Sequence, residues 1–197
     1  MKVVLASHNE NKLRELAALL PGWELELLSA GEFPEETGPT YYDNARAKAR
    51  FGREHGRPDV WTLGEDSGLE VEGLGGGPGI RSARYAPEGY EAVEKLLQEL
   101  RGVEGEGRRA RYVCELVALS PEGVEVRGTG VLEGRIAGEA RGSEGFGYDP
   151  VFVPGGEERT VAELGNAWKS GHSHRARAAC ALLERTGPGD SPSDRSE

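Results

Sequence analysis

"MKVVLASHNENKLRELAALLPGWELELLSA", from Met1 to Ala30, decides the fold class. Within it, Met1–Ala6 is a short apolar run typical of a buried strand, and Glu10–Leu20 repeats leucine and alanine at helical spacing until "PG" ends the pattern. Residues Trp23–Ala30 alternate as a second strand does. A strand, a helix and a strand within about thirty residues predict a crossover unit with parallel strands.

The rest of the chain predicts an antiparallel half of the same sheet. The pattern indicates a helix capped by Thr40 (40–54), two short strands around a sharp turn (59–74), a glycine-rich loop (73–82) and a helix (88–101). It then indicates a hairpin (108–136), a strand (151–154) and a closing helix (173–186). We therefore expect an α/β fold in which a parallel lobe and an antiparallel hairpin lobe flank a cleft, with the ligand at the strand ends.

Length and charge limit the partners that the chain can have. We expect residues 1–186 to form a single domain of two lobes, and residues 187–197, which are small and polar, to be a disordered tail. A formal net charge of −10 argues against a broad nucleic-acid surface, because such surfaces rest on many lysine and arginine contacts to phosphate. Since no apolar run reaches membrane-spanning length and the N-terminus lacks a signal-peptide pattern, we expect a cytoplasmic protein without a membrane partner.

The segment between the first strand and the first helix is a candidate phosphate site. Backbone N–H groups, the Ser7 hydroxyl, the amides of Asn9 and Asn11 and the Lys12 ammonium converge where a strand meets a helix N-terminus. An ordinary capped helix with Lys12 in solvent accounts for the same residues, so this stretch leaves both interpretations open. An ammonium about 4 Å from a phosphate contributes on the order of 4 kcal/mol at an effective dielectric constant of 20, so local placement outweighs the net charge.

Two acidic pairs precede glycines, and we interpret both as turns. Glu35 and Glu36 come before Gly38, and Glu65 and Asp66 come before Gly68. Mg²⁺ is usually held by one or two carboxylates together with substrate phosphates, which is what such pairs beside a phosphate site would provide. Each pair by itself is also ordinary solvated loop sequence.

Two later segments add aromatic and basic groups. "SEGFGYDPVF" places Phe146 between two glycines just before a strand, where a planar ligand can approach the backbone and stack on a ring. "WKSGHSHRARA" gathers donors at a helix start, where a basic first turn opposes the helix dipole. A structural turn and a capped helix are the simpler explanations of these two segments.

Taken in order, five motifs resemble one known family. They are "SHNENKLRE", "EETGPTYYDNARAKA", "EDSGLEVEGLGGGPGIRSARYA", "GFGYDPVF" and "SHRARA". From Lys2 to about Leu183 the chain resembles the inosine triphosphate pyrophosphatases, which act on non-standard purine nucleotides. The resemblance implies a central mixed sheet with two lobes around a deep cleft, usually in a homodimer. It also implies Mg²⁺-dependent hydrolysis of ITP, dITP and XTP to the monophosphate and pyrophosphate, by water attack at the α-phosphorus.

The resemblance also implies roles for residues, carried over by position. Glu36 and Asp66 would hold Mg²⁺, with Asp66 also the proton acceptor for the attacking water, and Lys48 would reach the phosphates and Ser67 the phosphate or sugar. The triphosphate would lie against Ser7, His8, Asn9, Glu10, Asn11 and Lys12, the last of which would neutralise the leaving pyrophosphate. The base would be lined by Phe146, Gly147, Tyr148, Asp149, Lys169, His174 and Arg175.

Some residues depart from the family pattern, and two other functions remain open. Asp43 stands where glutamate is common and Glu65 where aspartate is frequent, so we expect the metal ligands to differ in length by a methylene. We expect Asp66 to stay ionised, because an adjacent cation favours the charged carboxylate. The alternatives are a Maf-type pyrophosphatase for modified pyrimidine or 7-methylguanine nucleotides, whose first loop usually has Ser-x-Ser-x-x-Arg, and a nucleotide sensor that binds without cleaving.

Overall fold

A computed structural model describes residues 1–86 and 89–186. The strands are β1 (Lys2–Leu5), β2 (Glu24–Leu27), β3 (Trp61–Val71), β4 (Pro78–Gly79), β5 (Arg109–Leu119), β6 (Glu125–Ile136) and β7 (Phe152–Pro154). The helices are α1 (Glu10–Leu19), α2 (Tyr41–His55), α3 (Gly89–Glu99), α4 (Val161–His172) and α5 (His174–Arg185). The predicted disordered tail, residues 187–197, lies outside the described residues.

The strands form one mixed sheet, as predicted. Its order is β2-β1-β3-β5-β6-β7, with β4 paired to β3, and β1 runs parallel to both of its neighbours. The other pairings are antiparallel, including the predicted hairpin of β5 and β6, whose register runs from Arg109 opposite Arg135 to Leu119 opposite Glu125. No helix within 1–86 and 89–186 is long and apolar enough to cross a membrane.

The prediction of two short strands around "GEDSG" was wrong, because β3 continues through it. Gly64 and Gly68, which suggested a turn, serve close packing instead. A Cβ at Gly64 would lie 1.9 Å from the carbonyl oxygen of Ala45 in α2, and one at Gly68 would lie 2.3 Å from that of Gly79 in β4. The Glu65–Asp66 pair therefore lies on a strand, and its two side chains point to opposite faces of the sheet.

The sequence analysis also missed α4. Thr160 and Glu163 form a capping box at its start, but Gly165 at φ +86° interrupts the helix after one turn. A second turn then begins at Asn166, whose N–H donates to Glu144 at 2.9 Å. Because neither half is long enough to show a helical repeat, periodicity did not reveal this helix.

The core has two larger apolar clusters, one on each side of a polar region. The first packs α1 and α5 on the sheet through Leu5, Leu16, Leu63, Leu116 and Leu182. The second packs α3 and the first half of β5 through Leu69, Leu96, Tyr112, Leu132 and Phe152. Between Leu63 and Leu69, the same face of β3 presents Glu65 and Ser67, so polar residues interrupt the core at the middle of the strand.

A gap at one edge of β3 exposes the middle of this strand. On that edge β1 pairs with Trp61–Leu63 and β4 pairs with Leu69–Glu70. Among the described residues, no strand pairs with Gly64–Gly68 there. The loop after β1 opens into this gap, which agrees with the expectation of a site at the strand ends.

Candidate functional site

Two adjoining cavities lie at the gap beside β3. The first, of about 580 Å³, is the cation-rich cavity, lined among others by Ser7, His8, Lys12, Glu36, Lys48 and Arg84. The second, of about 570 Å³, is the aromatic cavity, lined among others by Ser67, Tyr112, Phe146, Asp149, Lys169 and Arg175. Asn9, Lys12 and Ala83 line both. A larger depression of about 720 Å³ lies along β5 and β6 and contains none of the predicted site residues.

The loop after β1 caps α1 and faces the cation-rich cavity. Ser7 Oγ accepts from the N–H of Asn9 at 3.0 Å, and Asn9 Oδ1 accepts from those of Asn11 and Lys12 at 2.9 and 3.2 Å. The residues that cap the helix therefore also line this cavity, and Lys12 pairs with the buried Glu65 instead of lying in solvent. Asn11 lines the aromatic cavity, whereas Glu10 lines neither.

The predicted metal-binding carboxylates meet at one lysine. The Nζ of Lys48, a buried residue of α2, lies 2.9 Å from Asp66 Oδ1 and also pairs with Glu36. It donates to the Glu65 carbonyl at 3.1 Å as well. Asn44 Nδ2 donates to the other Asp66 oxygen at 3.2 Å. One ammonium therefore lies between two carboxylates that come from separate elements.

These carboxylates fit a Mg²⁺ ion that takes some of its ligands from the substrate. Glu36 and Asp66 supply the oxygen ligands that Mg²⁺ prefers, and both already contact one cation. Within 1–86 and 89–186, no group of three or more His, Cys, Asp or Glu is arranged to hold a metal by itself. A metal bound by two carboxylates would need further oxygen ligands, such as phosphates or water.

The acidic groups around Lys48 differ in proton affinity. Burial raises the pKa of Asp66, Lys48 opposes this, and the nearby Glu36 and Glu65 carboxylates raise it further. For Glu36, burial also raises the pKa, but the combined effect of Lys48, Arg84 and Lys12 leaves it below the ordinary value. The expectation for Asp66 considered only a neighbouring cation and left out burial. Asp66 is thus the carboxylate with the stronger tendency to take up a proton.

Glu65 points away from Asp66 and pairs with two cations that line the cavities. It is 2% exposed, pairs with Lys12, and accepts from Arg175 Nη2 at 2.8 Å. The same guanidinium nitrogen lies 3.1 Å from Ser67 Oγ. Burial raises the pKa of Glu65, but Lys12 and Arg175 outweigh it and hold the pKa well below the ordinary value. The long side chain at position 65 therefore serves ion pairs on the α1 and α5 side, away from Asp66.

The aromatic cavity has a cation beneath an aromatic ring. Lys169 Nζ lies 4.2 Å from the centre of the Phe146 ring and 2.7 Å from Asp149 Oδ2. The N–H of Phe146 donates to the same Asp149 oxygen at 2.8 Å. Tyr148 fixes the opposite wall, because its hydroxyl donates to the Ser82 carbonyl at 2.9 Å. These contacts hold the loop before β7 so that Phe146 lines the aromatic cavity.

The start of α5 supplies the remaining groups. The His174 ring stacks on Tyr112 at 4.5 Å and 9°, and burial with the Arg175 charge keeps its pKa well below the ordinary value, so the imidazole is neutral. Within the described residues, His174 Nδ1 and Arg175 Nε are buried without a hydrogen-bond partner. Both residues line the aromatic cavity, so each brings a buried, unpaired polar atom close to it.

Sequence reasoning assigned no role to Glu15, Tyr112 or Arg84. Glu15 pairs with Arg175 and lies 2.6 Å from Lys169 Nζ, so it contacts two of the cations that line the aromatic cavity. Its position one turn after Lys12 on α1 was a usable signal, since residues three apart share a helix face. Tyr112 carried no comparable signal, because an aromatic residue in a strand is ordinary core. Arg84 is considered below.

The fold and the site define a class of α/β protein. In this class a cation-rich cavity and an aromatic cavity, together large enough for a nucleotide, adjoin at Lys12. The chain belongs to the Ham1 family, whose profile matches residues 3–185. It is 43% identical over 194 residues to a dITP/XTP pyrophosphatase of Bdellovibrio bacteriovorus, covering 94% of this chain and 97% of that protein. It is 44% identical to one of Bacillus licheniformis, covering 93% and 98%.

Solved structures agree with this assignment. The Staphylococcus aureus Ham1 protein superimposes with a TM-score of 0.80 at 34% identity, covering 95% of this chain and all (100%) of that chain. A nucleoside-triphosphatase, or dITP/XTP pyrophosphatase, from Mycobacterium abscessus gives 0.73 at 39% identity, covering 95% and 100%. The family resemblance inferred from the five motifs is confirmed.

Proposed function

We propose that this protein is a nucleoside triphosphate pyrophosphatase that uses Mg²⁺ to convert dITP, XTP and ITP to the monophosphate and pyrophosphate. The observation that carries the proposal is the junction of the two cavities at Lys12, beside carboxylates on both faces of β3. Relatives named dITP/XTP pyrophosphatases, matched over nearly their whole length, supply the substrate class.

The cavities divide the substrate into two parts. The triphosphate would lie in the cation-rich cavity against the N-terminus of α1, where the positive end of the helix dipole and the lysines favour an anion. The base would lie in the aromatic cavity on Phe146, with the sugar near Ser67. Since Lys12 borders both cavities, its ammonium would meet the phosphates next to the nucleoside.

Glu36 and Asp66 would hold the metal. When bound there, Mg²⁺ would neutralise charge that develops on the departing pyrophosphate. Asp66 would take the proton of the attacking water, a role for which its burial and raised pKa suit it. Asn44 and Lys48 hold both oxygens of this carboxylate, and therefore its orientation. Lys12 and Lys48 would neutralise the phosphates as the bond to the α-phosphorus breaks.

Base selection would rest on the buried donors of α5. Hypoxanthine and xanthine present an oxygen at C6, whereas adenine presents an amino group. Arg175 stays protonated at physiological pH and can only donate, and it lines the aromatic cavity. Adenine would leave buried donors facing one another, at a cost of roughly 1 to 3 kcal/mol per unsatisfied group.

We further propose that the protein acts as a homodimer in the cytoplasm, removing non-standard purines from the nucleotide pool. These parts of the proposal rest on the family resemblance. Ham1 membership favours this activity over a Maf-type one. The carboxylates around Lys48 favour catalysis over sensing, because binding a nucleotide does not require a proton acceptor beside its phosphates.

The test is to incubate the purified protein with Mg²⁺ and, separately, dITP, XTP, ATP, dTTP and 7-methyl-GTP, and to measure pyrophosphate. Release from dITP and XTP but not ATP is the expected result. Preference for dTTP or 7-methyl-GTP would favour a Maf-type enzyme. Tight binding of dITP without pyrophosphate release would favour a sensor.

A further inference from the structure

We infer that Arg84 binds the pyrophosphate end of the substrate, as a third cation in the cation-rich cavity; this rests on the proposed function. Arg84 ends the short turn Ser82–Arg84, which lies where the two cavities meet. Ser82 lines the aromatic cavity, Ala83 lines both, and Arg84 lines the cation-rich cavity. This turn comes from the opposite side of the gap to Lys12 and Lys48.

The backbone of this turn is held in place. Ser82 Oγ accepts from the N–H of Leu69 in β3 at 2.8 Å and donates to the Gly79 carbonyl at 2.6 Å. Tyr148, a wall of the aromatic cavity, donates to the Ser82 carbonyl. The Arg84 N–H donates to the Arg81 carbonyl at 2.8 Å. The base of the arginine is therefore fixed relative to both β3 and the aromatic cavity.

The side chain, in contrast, remains accessible. It is 47% exposed and pairs with Glu36, while Nη2 donates to the Glu36 carbonyl at 3.3 Å. Glu36 also pairs with Lys48, so one carboxylate is shared by two cations. A partly solvated guanidinium that shares its carboxylate is available to an anion of higher charge entering the same cavity.

A polyphosphate is such an anion. The planar fork of arginine donates two parallel hydrogen bonds to phosphate oxygens, a geometry that lysine does not offer. Lys12 lies at the junction with the aromatic cavity, whereas Arg84 borders the cation-rich cavity and not the aromatic one. Arg84 would therefore meet the phosphates farther from the base, which leave as pyrophosphate.

The competing explanation is a structural one, in which Arg84 only fastens the Glu36 loop. The two explanations differ in the ligand that loses affinity. If Arg84 binds pyrophosphate, its removal weakens inorganic pyrophosphate binding and spares the nucleoside monophosphate. If Arg84 only positions Glu36, removal raises the Mg²⁺ concentration needed for half-maximal activity and leaves pyrophosphate binding at saturating Mg²⁺ unchanged.

The experiment compares the unaltered protein with Arg84→Gln and Arg81→Gln. Arg81 is an exposed arginine at the head of the same turn that lines neither cavity, so its substitution matches the charge change. Calorimetric titration with inorganic pyrophosphate and with IMP, in saturating MgCl₂, gives the affinities without turnover. Thermal unfolding checks that each variant is folded.

We expect Arg84→Gln to weaken pyrophosphate binding about tenfold or more, because a hydrogen bond between charged groups is lost. The affinity for IMP should stay within about twofold of that of the unaltered protein. Arg81→Gln should match the unaltered protein. Equal pyrophosphate affinity in all three proteins, or a change confined to the Mg²⁺ requirement, would overturn the inference. Absence of dITP and XTP hydrolysis by the unaltered protein would refute the proposed function instead, and the pyrophosphate titration would still decide the role of Arg84.

Discussion

Replacing Asp66 by asparagine separates chemistry from folding in this site. An asparagine at position 66 keeps an oxygen for Lys48 but presents an amide to Asn44. Asn44 cannot turn to compensate, because its Oδ1 already accepts from the N–H of Gly38 at 2.8 Å. Two buried amide donors then face each other, which costs about 1 to 3 kcal/mol, so the midpoint of thermal unfolding should fall by about 3 to 9 °C.

Activity should respond far more strongly. Loss of a positioned proton acceptor slows turnover by about 10² to 10⁴, or roughly 2.7 to 5.4 kcal/mol of transition-state stabilisation. The assay is pyrophosphate release from dITP over a range of substrate and Mg²⁺ concentrations, which separates kcat from KM and from metal affinity. Asp59→Asn is the matched control, because Asp59 is an exposed aspartate paired with Arg57 that lines neither cavity.

Turnover within tenfold of the unaltered enzyme at saturating Mg²⁺ and dITP would contradict the proton-acceptor role of Asp66. A loss of activity that more Mg²⁺ fully restores would assign Asp66 to metal binding and remove the proton-acceptor role. Unfolding of the variant by more than about 10 °C would show that the structural contribution of Asp66 had been underestimated.

Three further substitutions test the energetics around β3. Glu65→Gln leaves Lys12 without its buried charged partner and should lower the free energy of unfolding, measured in urea, by about 3 kcal/mol. A decrease of less than about 1 kcal/mol would argue against a buried ion pair. His174 is neutral in the folded protein and takes up a proton in the unfolded chain, where its pKa is the ordinary 6.5. The free energy of unfolding should therefore be highest above about pH 6.5 and fall by up to about 1.4 kcal/mol for each pH unit below it. His174→Gln should flatten that decline between about pH 5 and 6.5, and an unchanged slope in chemical denaturation would contradict the assignment. Gly64→Ala places a methyl against α2 and should destabilise by about 3 kcal/mol or more, while Gly31→Ala, which meets nothing within 4 Å, should stay within about 0.5 kcal/mol by the same measurement.

The sequence predicted the elements whose periodicity is unbroken. The crossover unit at residues 1–30 and the hairpin of β5 and β6 follow from local patterns, and both are confirmed. Local patterns failed where a glycine served packing between elements distant in the chain. Gly64 suggests a turn in the sequence, and only the approach of α2 to the sheet explains it. Gly165 conceals α4 in a similar way, by breaking the helical repeat.

The family motifs predicted more residues of the candidate site than the physical chemistry of the individual residues did. Motif order brought together Lys12, Glu36 and Asp66; in the structure the first two line the cation-rich cavity, and Asp66 pairs with Lys48, which also lines it. The partners of these residues were not predictable, because they depend on side-chain direction across the sheet. Glu65 and Asp66 are adjacent in sequence, but they face different helices. The shift in the pKa of Asp66 was also hidden, since it depends on burial that composition does not reveal.

The alternation of β3 makes one strand serve both cavities, and this requires a fixed register. Asp66 faces α2 and pairs with Lys48 of the cation-rich cavity, while Glu65 and Ser67 face α1 and α5 and contact Arg175 of the aromatic cavity. A shift of one residue would exchange these faces, placing Glu65 beside Lys48 and Asp66 beside Arg175. The close contacts of Gly64 with α2 and Gly68 with β4 oppose that shift, because any side chain brought to either position would meet backbone within 2.3 Å. The glycines that obscured the strand in the sequence therefore hold each carboxylate on its own face of the sheet, beside its own cations.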